Sequence, residues 1–329
     1  MARMAERTLW GLGALLFLAL VYRFGWADLV SNLRAVGWGI VLVIGQEILA
    51  FAANTAGWRS AFPQHSPIPP FGMLLRARLA GDAINYVTPT ATVGGEFVRL
   101  EMLAGRSARI PVAASLTVAK LAQTLGQVVF IAAGLAIVAA QFSLPHAVRW
   151  SAWASVSGVV VACTALVWWQ RRGMFTPLLR LVQSAGWLRA PHWAEHIARL
   201  DAEIRSLHGQ GSRMALSVVA FAIGWALGVV EMYIVLWLLG VPPTWSLALA
   251  IEVFSATLDG ILFFVPAKLG TQEGGKVFIF ALLGLDPAKG LAAGVLRRIR
   301  ELFWVAVGLA VWWRAQWNAN TATAAPLHS

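Results

Sequence analysis

Charge is scarce in this sequence. Of 329 residues only 12% are Asp, Glu, Lys or Arg, against 59% hydrophobic residues and a mean hydropathy of +0.69. Soluble domains carry about 25% charged residues, so a water-soluble fold would be left without a polar shell. The single cysteine, Cys163, excludes an intrachain disulfide, and its apolar surroundings place it against lipid or in the core. Nucleotide-binding glycine loops, nucleophile elbows and zinc motifs are missing. So is a cleavable leader: the first apolar run, about 8–27, lacks a small-residue cleavage site and is long enough to span. The six histidines (His65, His146, His192, His196, His208 and His328) fall in loops or the tail. The spacing of His192 and His196 suits a metal, but no other ligand lies nearby in sequence. No enzyme activity, cofactor or metal is expected.

What the chain does contain is apolar stretches that run to both ends. A hydrocarbon core of about 30 Å needs about 20 apolar residues per helix. On that ruler long stretches occupy roughly 8–27, 38–62, 71–88, 110–141, 150–170, 213–240, 245–265 and 287–315. Two shorter ones, 90–104 and 267–283, are interrupted by Pro and Gly. The expected fold is an all-α polytopic membrane protein, one integral domain over 1–329, with about eight spans and two broken or re-entrant segments. Trp26, Trp38, Trp58, Trp150, Trp168, Trp169, Trp245, Trp312 and Trp313 sit where helix ends meet the lipid–water interface. The net charge of +11 comes from basic residues clustered between apolar stretches, which fits a membrane orientation signal and not a nucleic-acid partner. The basic, amphipathic stretch 171–212 is expected either as helix on the cytoplasmic membrane face, drawn to anionic lipids, or as a solvated loop. Residues 318–329 form a short polar tail.

An internal repeat appears when the chain is shifted by 177 residues. Asp82 then falls on Asp259, Pro89 on Pro266, Glu96 on Glu273, Arg99 on Lys276 and Lys120 on Arg297. Four of these are same-sign charge matches, where chance placement would give fewer than about one. The copies cover approximately 38–141 and 215–318. Arg3 and Arg7, and the groups around Arg59, Arg76 and Arg78, Arg106 and Arg109, and Arg171–Arg213, read as cytoplasmic; the uncharged Gly240–Trp245 connection reads as external. The copies would then be inverted, as in many transporters. Inversion is expected to need 90–104 and 267–283 to change side, with simple re-entrant hairpins giving parallel copies instead.

Charge inside the apolar stretches gathers at the two interruptions. The first reads Gly81-Asp82-Ala83-Ile84-Asn85, then Pro89, then Gly94-Gly95-Glu96-Phe97-Val98-Arg99; the second reads Asp259-Gly260, Pro266, Gly270, then Glu273-Gly274-Gly275-Lys276. Proline and paired glycines break a helix at membrane depth, where freed backbone groups are tolerated only against protein or a water-filled cavity. Each break carries an acid and a base three residues apart. A charge at the bilayer centre costs at least about 2.5–3.5 kcal/mol. Glu96 with Arg99, and Glu273 with Lys276, are therefore read either as neutralised pins or as parts of a polar site between the copies. Asn85 adds a polar group beside the first break. Lys120, and Arg297-Arg298-x-Arg300-Glu301, supply groups that suit phosphate, bidentately for Arg and as a point charge for Lys; for Arg298 the plainer reading is snorkelling to the interface. Glu47, Glu231 and Glu252 lie inside apolar stretches and read as protonated or Arg-paired structural carboxyls, or as proton relays.

At these motifs the sequence resembles the flippase-like family that includes the transmembrane region of lysylphosphatidylglycerol synthase (the multiple peptide resistance factor) and hopanoid-associated membrane proteins. The matching residues are Gly81-Asp82-x-x-Asn85-x-x-x-Pro89, Gly94-Gly95-Glu96-x-x-Arg99, Pro266-x-x-x-Gly270-x-x-Glu273-Gly274 and Arg297-x-x-Arg300-Glu301. The resemblance implies a bundle that moves a lipid between leaflets of a bacterial inner membrane. The soluble aminoacyl-transferase domain of the full synthase does not follow here, so lysine transfer is not implied. The expected ligand is a lipid with an anionic headgroup, with Arg99, Lys276, Arg297 and Arg300 binding phosphate and Lys120 also among the substrate-binding residues. Asp82, Glu96, Asp259 and Glu273 would pair with the cations in the empty state, and Asn85 completes the site. The alternatives are a non-catalytic scaffold for lipid-biosynthesis enzymes, docking through 171–212, and an intramembrane transferase using Asp82 or Asp259 with a divalent metal, which lacks the usual aspartate cluster.

Overall fold

A computed structural model describes residues 15, 18–88, 93–104, 108–141, 146–184, 192–262, 265 and 268–324. Pro89 and Pro266, Arg3, Arg7, Arg106, Arg189, His328 and residues 8–14, 16 and 17 of the 8–27 stretch lie outside them. The described residues form helices and connections, with no strand among them.

The helices are α1 (Trp26–Val36), α2 (Ile40–Ser60), α3 (Phe71–Val87), α4 (Val93–Leu103), α5 (Arg109–Gln141), α6 (His146–Arg172), α7 (Phe175–Ser184), α8 (His192–His208), α9 (Gly211–Leu238), α10 (Trp245–Ile261), α11 (Thr271–Leu282) and α12 (Pro287–Ala324). A separate helical stretch covers 18–24. Most helix ends lie within a few residues of the apolar stretches, because local chemistry sets them. Pro70 opens α3, and the Thr244 hydroxyl caps α10 by accepting from Leu247 N at 3.1 Å. Gly240, at φ +64°, closes α9: Val241 N reaches back to Leu236 O at 2.9 Å.

By length and composition, three helical segments among the described residues can cross a membrane: Trp26–Ser60, Arg109–Gln141 and Gly211–Leu238. This is fewer than the eight or so long apolar stretches expected. α3 and α10 have 17 residues each, and α12 opens with Lys289, Arg297, Arg298, Arg300 and Glu301. Several tryptophans expected at an interface are exposed, among them Trp26, Trp38, Trp150, Trp168 and Trp245. Trp58 is not. It is 1% exposed, and its indole N–H donates to Ser115 Oγ at 3.1 Å. Cys163 packs in the core.

Two hydrophobic cores form. One gathers Trp58, Leu74, Ala77, Leu103, Ala114 and Ala119; the other gathers Val235, Ile251, Phe254, Phe280, Leu291 and Leu296. The second set is the first moved by 177 residues.

Segments matched by that offset run antiparallel where they touch. On α2 and α9, Gly57 O accepts from Ser217 Oγ at 2.8 Å and Ser60 O from Arg213 Nε at 3.2 Å, while Asn54 meets Gly224. The remaining contacts are reciprocal. α3 packs on α12, where a Cβ on Gly308 would collide with Leu79 O; α10 packs on α5, where Gln127 donates to Ala256 O at 3.2 Å. Likewise α5 meets α9 at Gly126 and Ala222, and α12 meets α2 where Trp304 Nε1 donates to Ile44 O at 3.0 Å. Reciprocal contacts of this kind are what a twofold relation produces.

The short helices fold back on their predecessors, α4 on α3 and α11 on α10. These folded-back pairs occur together with antiparallel packing of α2 on α9.

The described residues of the 171–212 stretch include α7 and α8, which pack on each other. Asp201 of α8, 2% exposed, accepts from Phe175 N at 3.1 Å, Thr176 N at 2.8 Å and Thr176 Oγ1 at 2.6 Å, capping α7 from outside. Ile204 and Leu207 bury α8 against the α5 end of the first core.

Candidate functional site

At the α3/α4 hairpin the backbones close on two glycines. A Cβ on Gly95 would collide with Gly81 O, and one on Gly81 would sit 2.6 Å from Arg99 Nε, so neither position has room for a side chain. Asn85 Oδ1 accepts from Gly95 N at 2.7 Å and pins this contact. With the helices that close, Arg99 reaches two acids at once. Its Nη1 donates to both Glu96 oxygens, at 2.8 and 2.9 Å, and its Nη2 to Asp82 Oδ1. Arg78 lies 3.4 Å from Asp82. Both arginines are buried and lie over aromatic rings, Arg99 over Trp58 at 5.8 Å and Arg78 over Phe221 at 5.7 Å.

Lys120 stands apart from this pairing. It projects from α5 into a cavity of about 460 Å³ between α4, α5 and α6. Glu96 shares the cavity wall, with both its oxygens given to Arg99. Among the described residues no carboxylate lies within ion-pair distance of the Lys120 ammonium. The second copy's charged residues do not line this cavity.

At the α10/α11 hairpin the charges are buried and matched. Lys276, 1% exposed, donates to Ser255 Oγ at 2.7 Å and lies 3.4 Å from Glu252 Oε2. Arg297 Nη2 bridges Glu252 at 2.7 Å and Glu231 at 3.0 Å. Arg300 Nη1 donates to Glu47 at 2.8 Å and also to Glu231. Arg297 and Arg300 share a face because they lie three apart on α12. Glu47, Glu231 and Glu252 thus face Lys276, Arg297 and Arg300, three charges against three, gathered from five helices.

Glu273 and Lys276 sit three apart on α11 yet have separate partners. The Glu273 carboxylate accepts from Gly270 N at 3.0 Å, capping α11, and pairs with Arg298 at 2.9 Å. One turn later Lys276 turns toward α10. Asp259 is also apart from the buried cluster, bound to Lys268 Nζ at 2.6 Å in a half-buried pair at the hairpin mouth. The two hairpins are joined through α3. Arg298 Nη1 donates to Tyr86 Oη at 2.7 Å, and Tyr86 donates to Glu301 at 3.3 Å, one helical turn beyond Asp82.

The residues expected from the sequence therefore fall into two groups, a partly exposed one of Asp82, Asn85 and Glu96 around buried Arg99, and a buried one of Lys276, Arg297 and Arg300. Glu273 and Asp259 lie at the rim of the second, and Lys120 faces a cavity. Arg78, Arg298 and Tyr86, and the carboxylates Glu47, Glu231 and Glu252, were not part of the expected site. Their signal was available: acids inside apolar helices need cations, and α12 carries more arginines than α11 has acids. Chemically the arrangement is a set of guanidinium and ammonium groups, most of them paired with carboxylates.

Residues 9–309 match the family described as the lysylphosphatidylglycerol synthase TM region. A curated relative, a UPF0104 membrane protein of Methanothermobacter thermautotrophicus, is 26% identical over 251 residues, covering 71% of this chain and 72% of its own. No solved structure matches.

Proposed function

This chain belongs to the lysylphosphatidylglycerol synthase transmembrane-region family, and from that premise we propose that it moves a lipid with an anionic headgroup between the leaflets of a bacterial inner membrane. In this reading it is a multi-pass protein of two inverted copies, whose hairpins re-enter the bilayer from opposite faces. Antiparallel packing of α2 on α9 supports that reading, since a twofold axis across two membrane-crossing helices lies in the membrane plane. The protein acts without covalent chemistry.

The observation that carries the proposal is the pair of ion clusters at the two hairpins, tied through Tyr86 of α3. Burying an ion costs several kcal/mol unless a partner replaces its water. A lipid phosphate entering between the hairpins takes over the partners of Arg99, Lys276, Arg297 and Arg300, so that charge stays compensated while acyl chains remain in the bilayer. In the empty state Arg297 and Arg300 are held by Glu47, Glu231 and Glu252, and not by Asp259 and Glu273.

The test is reconstitution into vesicles containing fluorescent phosphatidylglycerol, with a membrane-impermeant reductant added outside. Protein-dependent access to the inner-leaflet label is expected, and it falls when Glu96 and Arg99 are exchanged. Product formed with an unchanged leaflet distribution would make the protein a transferase, and neither result a scaffold. If the exchange and both single alanines leave movement untouched, the α3/α4 cluster is not the site.

A further inference from the structure

The two ion clusters occupy matched positions but are not equally charged. Lys120 corresponds to Arg297 at the 177-residue offset. Arg297 is neutralised by Glu231 and Glu252. At the positions matching those acids the first copy carries Asn54 and Leu75. The cation is retained and both of its counter-charges are removed. Among the described residues Arg78 and Arg99 pair with Asp82 and Glu96, and Lys120 adds a third cation with no carboxylate at ion-pair distance, an excess of one positive charge over these pairs.

That excess sits in a chamber shaped for an amphiphile. The cavity wall around Lys120 and Glu96 is apolar, built from Phe97, Leu100, Leu116, Leu121, Leu166 and Met174. Lys120 stands roughly 16 Å along α5 from its first residue, beyond the reach of a lysine snorkelling to that end. Thr117 and Thr124, on the same face of α5, also line the cavity, their hydroxyls donating to the helix at Ala113 O and Lys120 O.

We infer that this cavity is a binding site for one monoanionic phosphodiester lipid, its phosphate on Lys120 and the start of its acyl chain between α4, α5 and α6. A single negative charge balances the first cluster, and the apolar wall selects a lipid over free phosphate. At the matched place in the second copy Arg297 is already paired with Glu231 and Glu252. The site deepens the lipid-translocation reading as the place where the headgroup is first held, but lipid occupancy is measured separately from movement.

The experiment is retention of lipid by the full chain extracted from vesicles of mixed phosphatidylglycerol and phosphatidylcholine, read by native mass spectrometry. The wild type is expected to keep phosphatidylglycerol selectively. Lys120→Gln lowers that retention by about tenfold, the scale of one lost charge-assisted contact. Lys120→Arg preserves it, and Ala113→Phe, which fills the wall and leaves the charge, lowers it again. Unchanged melting temperatures show that each variant is folded. Equal retention of both lipids, an unaffected Lys120→Gln protein, or displacement of the lipid by inorganic phosphate would each overturn the site. Retention that depends on Lys120 in a protein that moves no lipid would uphold the site and remove the translocation reading.

Discussion

Beside the α10/α11 hairpin Lys276, Arg297 and Arg300 pair with Glu47, Glu231 and Glu252; beside the α3/α4 hairpin Arg78 and Arg99 pair with Asp82 and Glu96, while Lys120 has no carboxylate at ion-pair distance among the described residues. The surroundings differ in step. Glu231, Glu252 and Lys276 are essentially sealed, whereas Asp82 and Glu96 keep about a third and a quarter of their side chains exposed. Burial and neutrality go together because an uncompensated ion in a low-dielectric interior costs several kcal/mol, while a cavity can hold a net charge that a ligand will cancel. On these pairings the α10/α11 cluster reads as a closed latch and the α3/α4 cluster as an open receptor.

The strongest way to break that contrast is to remove the shared acid of the latch. Glu231→Ala takes from Arg297 and Arg300 the carboxylate they share, leaving two buried arginines with Glu252 and Glu47, and a loss of about 3–5 kcal/mol of stability is expected, seen as a large fall in melting temperature in detergent. If the protein melts as the wild type does, the second cluster is not sealed. Removing Arg99 tests the open side. Arg99→Ala leaves Asp82 and Glu96 partly hydrated, and about 1–3 kcal/mol is expected, less than at Glu231. Reversal of that order in thermal melts would invert the assignment of latch and receptor.

The hairpins also differ in how their backbones meet. Gly95→Ala drives a methyl into Gly81 O and should cost about 1–3 kcal/mol, loosening Arg99 from Asp82. Gly275→Ala meets only the tip of Leu258, at 3.3 Å, and should stay within about 0.5 kcal/mol by the same measurement. The smallest effect belongs to the rim. Lys268→Ala breaks the half-exposed pair with Asp259 and should change stability by about 0.2–1 kcal/mol. A larger loss there would place Asp259 in the functional cluster after all.

Much of this architecture is legible along the chain. The helices α2, α3, α5, α9 and α10 begin within about two residues of their apolar stretches, since prolines, glycines and a threonine cap mark their ends. The offset of 177 is readable from charge alone, and it also joins the two cores, Leu103 with Phe280 and Leu74 with Ile251. The pairings were not legible. Spacing of i, i+3 joins Glu96 to Arg99 correctly, and by the same rule it would join Glu273 to Lys276, which the fold separates.

The sequence by itself determined a helical membrane protein, the two interruptions and the cations placed near them, because hydropathy, helix breaking and the cost of buried charge act locally. Only the tertiary structure decided which carboxylate neutralises which cation, that α2 and α9 lie antiparallel, and that Lys120 faces a cavity instead of an acid. Those outcomes depend on side chains brought together from helices far apart in the chain, and no local spacing encodes the distance between them.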